Sequence, residues 1–169
     1  MRRRHFKRSR KGVEAFLEAG EAAALAGVCR DLSGLFDTQT APEERAGDPV
    51  LDRLFPRAYL DPTEEKAEAE WQRLAHGELV TGRQGALSAV VQSLARGSGG
   101  RFELSLSDTE AEAWLAVLND ARLTLGTRLE VTEDTDFSGL DPDDPDAAPY
   151  AVYWWLGLLE EELVEALSN

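Results

Sequence analysis

One cysteine, two histidines and no long apolar run set the first limits on this chain of 169 residues. Cys29 alone cannot close an intramolecular disulfide, and a lone thiol suits a reducing compartment. His5 and His76 are the only imidazoles, so a His/Cys zinc cage lacks ligands. No Glu-x-x-His pair occurs, which argues against a di-iron site of the ferritin kind. No apolar stretch approaches the ~20 residues of a membrane-spanning helix. The residues behind the basic start are too acidic for a signal-peptide core. A Walker phosphate loop, a Rossmann glycine fingerprint and a G-x-S-x-G elbow are all missing. These absences predict a cytoplasmic protein with no membrane contact, no metal and no cofactor, and they weigh against an enzyme.

Bases are scarce too, 18 against 32 acids for a net charge of −14, and they are unevenly placed. Residues 2–11 hold Arg2, Arg3, Arg4, Lys7, Arg8, Arg10 and Lys11 with no acid; the remainder carries 11 bases against 32 acids, a charge of −21. So acidic a body repels phosphate backbones and favours proteins or cationic groups as partners. The alternative is a nucleic-acid-binding regulator that grips phosphates with Arg2, Arg3, Arg4, Lys7 and Arg8. Phe6 is the sole aromatic in that run, too few for a base-stacking platform. The simpler reading is a strand whose bases neutralise the acidic body.

What is present is enough for one domain over 1–169, with 43% apolar residues and four tryptophans. Residues 5–8 and 13–17 read as a hairpin around Ser9-Arg10-Lys11-Gly12. Apolar residues at helical spacing predict a helix over about 19–36. Asp48-Pro49 and Asp61-Pro62 are helix start signals. The second opens a helical region to about Ala95, with Ala67, Trp71 and Leu74 on one stripe and Val80, Leu87, Val91 and Leu94 on another. Gly77, Gly82 and Gly85 fall at the change, which predicts a kink or break. Phe102-Glu103-Leu104-Ser105-Leu106 alternates like a strand that completes a three-stranded sheet. Ser107-Asp108-Thr109-Glu110 is a capping box for a helix to about Leu129. Flexible segments are expected at 38–47, 97–100 and 132–147. The last of these is rich in acids, and a final helix follows to about Leu167. The expected fold is mainly α: about five helices in one bundle-like domain with a small N-terminal sheet.

Two blocks concentrate the aromatic residues. A helical wheel puts Ala111, Trp114, Leu115, Leu118, Ala121, Leu125 and Leu129 on one face, with Arg122 inside it. The last helix groups Val152, Trp155, Leu156, Leu159, Leu163 and Leu167, with Glu160 inside that stripe. An unpaired charge in a core costs several kcal/mol, so Arg122 and Glu160 are candidates for a buried ion pair where the helices meet. The competing reading makes Arg122 a clamp for a ligand carboxylate. Ala151, Trp154 and Leu158 lie nearly opposite the stripe, which makes them interface candidates for a protein partner or a homodimer. Asp134, Asp136 and Ser138 match half of a calcium loop, but Pro145 stands where the bidentate Glu belongs.

These blocks also carry a resemblance. Residues 112–123, Leu125-Gly126-Thr127-Arg128-Leu129 and Tyr153-Trp154-Trp155-Leu156-Gly157 resemble an uncharacterised actinobacterial family. It is catalogued as a domain of unknown function, serial number two thousand and seventeen. The likeness extends over the basic first strand, Asp48-Pro49-Val50-Leu51, Leu54-Phe55-Pro56, the capping-box helix and the aromatic last helix; residues 62–97 match loosely. The resemblance implies a mostly helical cytoplasmic protein whose gene commonly neighbours the adaptor of the Clp protease. Some members carry a label as transcriptional regulators. It brings no functional residues. The resulting expectation is a non-enzymatic protein-interaction or regulatory module, with the Clp system as a possible partner.

Overall fold

The computed structural model describes residues 4–37, 47–97, 100–137, 139 and 144–169. Strands β1 (Phe6–Ser9) and β2 (Gly12–Glu18) form an antiparallel hairpin with Ser9 opposite Gly12. Gly12 has φ of 132°, and a Cβ there would lie 2.0 Å from the Leu106 carbonyl oxygen. Both the turn and the neighbouring strand therefore demand glycine. That neighbour is β3 (Arg101–Leu106), antiparallel to β2 with Val13 opposite Leu106 and Glu18 opposite Arg101. The sheet order is β1-β2-β3. One sheet face buries Phe6, Val13, Ala15, Leu17, Leu104 and Leu106.

Five α-helices accompany this sheet among the described residues. Helix α1 (Ala19–Asp37) leaves β2 directly and buries Ala22, Leu25, Cys29, Leu32 and Phe36, the predicted spacing. Helix α2 (Pro49–Leu54) starts where Asp48 accepts hydrogen bonds from the backbone N–H groups of Val50 and Leu51. Asp61 caps a 3-10 turn (Pro62–Glu64) that leads into α3 (Glu65–Arg96). Helix α4 (Asp108–Arg128) opens with the complete Ser107/Glu110 capping box. Helix α5 (Ala148–Ser168) follows a second 3-10 turn (Pro145–Ala147) capped by Asp144. No helix of the described residues is long and apolar enough to cross a membrane.

Helix α3 departs from the expectation in two ways. It runs unbroken across Gly77, Gly82 and Gly85. A glycine inside a helix costs only about 1 kcal/mol relative to alanine, so packing of Leu87, Val90 and Leu94 farther along is enough to keep the helix whole. Its first half also buries the wrong stripe: Leu74 is 61% exposed, whereas Glu68 is buried. The Glu68 carboxylate accepts from the backbone N–H of Ala58 at 3.0 Å and Tyr59 at 2.8 Å, and from Gln72 Nε2 at 2.8 Å. Burial alone would push this carboxyl up; the hydrogen bonds outweigh it and hold the group below its ordinary range. A polar anchor for the preceding loop thus takes the place of an apolar stripe.

Helix α4 is the centre of the domain and touches α2, α3, α5 and the sheet. Trp114 packs edge-to-face on Phe6 with ring centroids 5.9 Å apart. Its indole N–H donates to Ser93 Oγ at 2.8 Å, and that hydroxyl donates in turn to the Val90 carbonyl at 2.7 Å. Both Trp114 and Ser93 are fully buried, so no water can replace either partner. Ser93→Ala therefore leaves a sealed indole N–H and is expected to cost about 1–3 kcal/mol in urea denaturation, with m unchanged. A loss under about 0.5 kcal/mol would mean that this bond does not stabilise the core.

Candidate functional site

The Arg122 corner is built where α4 and α5 pack. Arg122 Nε donates to Glu160 Oε2 at 2.6 Å, with side-chain exposures of 33% and 20%. The Arg122 stem lies over Gly157, whose missing Cβ would come 3.7 Å from Arg122 Cδ. Burial opposes the Arg122 charge, but Glu160, and after it the Tyr153 side chain, more than compensate and raise its pKa. Tyr153 is seated tightly: a Cβ on Gly126 would approach its ring to 2.8 Å, and Phe137 stacks on it at 5.7 Å. Arg122 is not sealed by its pair. Together with Arg53, Leu123, Gly126, Thr127, Glu130 and Tyr153 it lines an open cleft of about 440 Å³.

The three interface candidates sit on the outer side of α5. Ala151 is exposed, Trp154 is 51% exposed and Leu158 is half-buried, while Leu156, Leu159 and Leu163 of the same helix are sealed in the core. Farther along, Val164 is also exposed. Of the calcium-loop residues, Ser138 lies outside the described residues. Among the described residues no three His, Cys, Asp or Glu side chains are grouped to hold a metal ion.

Of the arm residues, Arg2 and Arg3 lie outside the described residues, and Lys7 is exposed on β1. Arg4 donates to Glu165 of α5 at 2.6 Å, and Arg8 to Asp108 of α4 at 2.5 Å. Between them His5 is buried. Its backbone N–H donates to Glu162 Oε2 at 2.6 Å, and its ring nitrogens face Glu162 at 3.1 Å and Glu21 at 3.0 Å. The start of β1 is thereby clamped between α1 and α5. Sequence reading passed over His5; its position among bases masked a residue that two distant carboxylates enclose.

A second missed group is Asp120, almost fully buried on α4 and paired with Arg83 of α3. Arg83 also donates to the Leu54 carbonyl at 2.7 Å and lies 5.1 Å from the centre of the Phe55 ring. Burial pushes the Asp120 carboxyl up, and Arg83 pulls it back. Asp120 lies three residues after Val117 and four before Thr124, on a second buried side of α4 that the apolar stripe of the sequence does not include. A third feature is an apolar groove of about 840 Å³ between α1 and α3, lined by Ala22, Ala26, Cys29, Leu87 and Val91 among others. Cys29 is sealed at its floor, and burial pushes its thiol up to about 11. No constellation in these three places offers a nucleophile beside a base.

Comparison with known proteins agrees with the aromatic blocks. The model of the family described as "Domain of unknown function (DUF2017)" matches residues 1–167. The chain is 33% identical to the Mycobacterium tuberculosis protein named oxidative stress regulator AosR, across 97% of this chain and 83% of that protein. It is 32% identical to a Mycobacterium leprae protein named putative oxidative stress regulator AosR, across 73% of this chain and 60% of that protein. No solved structure matches.

Two measurements probe this geometry. A double-mutant cycle on Arg122→Met and Glu160→Gln should return a coupling of about 1 kcal/mol, near the upper end for partly solvated pairs. Zero coupling would mean that the contact contributes nothing to stability. A thiol reagent at pH 8 should label native Cys29 more than ~100-fold slower than the unfolded chain, because both thiolate and access are lacking. Equal rates would show the thiol to be open.

Proposed function

The chain belongs to the family described as a domain of unknown function, DUF2017, and from that premise we propose that it is a single-domain cytoplasmic regulator that works by binding other proteins, without catalysis. The regulator name carried by its mycobacterial relatives supports the regulatory part. The binding part rests on one observation: Trp154, a large side chain half open to water, on a helix whose opposite face is core. Tryptophan is among the residues that most often anchor protein interfaces. With Ala151 and Leu158 it forms the docking stripe, and Glu161 and Glu165 add acidic groups along the same helix. The gene neighbourhood implied by the family resemblance makes the Clp adaptor the first partner to test, with self-association as the second.

The relatives are named for oxidative stress, and any such role here needs a route other than an intramolecular disulfide, since Cys29 has no partner cysteine. A buried thiol with a raised pKa also argues against direct oxidation. The alternative, a nucleic-acid-binding arm, has less support, because Arg4 and Arg8 are engaged with carboxylates of the domain.

Trp154→Ala should weaken binding to the purified Clp adaptor, or self-association, by at least about tenfold, with an unchanged melting temperature. Sedimentation and calorimetry read the two cases. Undiminished binding by the variant would sink the Trp154 reading. A wild-type chain that stays monomeric and ignores the adaptor would sink both named partners. A salt-sensitive gel shift that vanishes when Arg2, Arg3 and Lys7 are replaced by alanine would favour the arm instead.

A further inference from the structure

The cleft at the Arg122 corner carries more than an ion pair. Arg122 spends its Nε–H on Glu160 and hydrogen-bonds Tyr153, but a guanidinium has five N–H donors, and Arg122 also lines the cleft. Arg53, from the last turn of α2, borders the same space. Among the described residues its side chain has no carboxylate within ion-pair distance. In a chain of net charge −14 with 32 acids, Arg53, Arg122 and Tyr153 thus line one cleft of about 440 Å³. That size lies within the range of small-molecule sites, roughly 300–1,000 Å³.

We propose that the cleft between Arg53 and Arg122 binds a small molecule through a single oxyanion group, a carboxylate or a phosphate. Planar guanidinium forks match such a group with paired N–H donors, and the Tyr153 hydroxyl supplies a further donor. Glu160 holds Arg122 from behind, so the side chain is positioned before the ligand arrives and loses less freedom on binding. Close approach of Gly126 and stacking by Phe137 hold the Tyr153 ring in the same way. Glu130 stands on the same rim and repels a second negative group. The site therefore selects one oxyanion over polyphosphates or nucleic acid.

The test is calorimetric titration of the full chain with inorganic phosphate and, separately, with the monocarboxylate propionate, at constant ionic strength set by chloride. Saturable one-to-one binding by either probe, with a dissociation constant on the order of 1 mM or tighter, is expected. Binding by phosphate alone assigns a phosphoryl group, and by propionate alone a carboxylate. Arg53→Ala, an exposed position that does not endanger folding, should weaken binding by about tenfold or more, as should Arg122→Lys. Arg10→Ala, on the hairpin turn far from the cleft in sequence and element, should leave it unchanged. Absence of saturable binding by both probes overturns the proposal, as does binding that survives Arg53→Ala and Arg122→Lys or falls equally with Arg10→Ala.

Discussion

The Asp120 carboxylate is held almost out of reach of water in the helix at the centre of the domain, and the packing around it keeps that charge satisfied. Arg83 is the partner, and it comes from α3 with a second bond to the end of α2 and its guanidinium over Phe55. One pair therefore fixes the rotation of α3 against α4 and the position of α2 against both. Phe55 extends the same joint by edge contacts to Phe36 of α1 and His76 of α3, at 6.5 and 5.2 Å. Replacing such a pair with apolar residues is often harmless, whereas removing one member strands the other at a cost of several kcal/mol. The pair contributes geometry more than net stability.

The domain solves a related problem at its start. A body this acidic gathers carboxylates on α1, α4 and α5, and the first strand brings the bases that face them. Arg4 meets Glu165, Arg8 meets Asp108, and His5 is enclosed by Glu21 and Glu162. The exposed pairs are each worth less than about 1 kcal/mol. His5 differs because its backbone and ring share the partly buried Glu162 contact, and Phe6 beside it enters the core against Trp114. Arg4, His5 and Arg8 in this respect strap the start of the sheet to the helices.

The two aromatic blocks meet where α4 and α5 pack, and they divide into a sealed side and an open side. Trp114, Leu118, Leu156, Leu159 and Leu163 belong to the core. Arg122, Tyr153 and Trp154 reach the surface to different degrees. The reading of Arg122 as either a core pair or a ligand clamp posed a choice that the geometry does not require: one nitrogen faces Glu160, and the same residue lines a cleft. A guanidinium has enough donors for both.

Local signals in the sequence determined the elements and their ends. Asp48-Pro49, Asp61-Pro62 and the Ser107/Glu110 box act on backbone groups within three residues, so they work wherever the chain goes. Alternation in 102–106 and helical spacing in 19–36 likewise express burial by one neighbour, and they place the sheet and α1. Which polar groups are buried was decided only by tertiary structure. Glu68, Asp120 and His5 look like solvated residues in a chain of 32 acids, and their burial depends on partners at Ala58 and Tyr59, at Arg83, and at Glu21 and Glu162. The continuity of α3 through three glycines was decided in the same way, because the packing that offsets their cost is made by Leu87, Val90 and Leu94 farther along the helix. Burying a charge is favourable only once its partner has arrived, and that arrival is a property of the assembled fold.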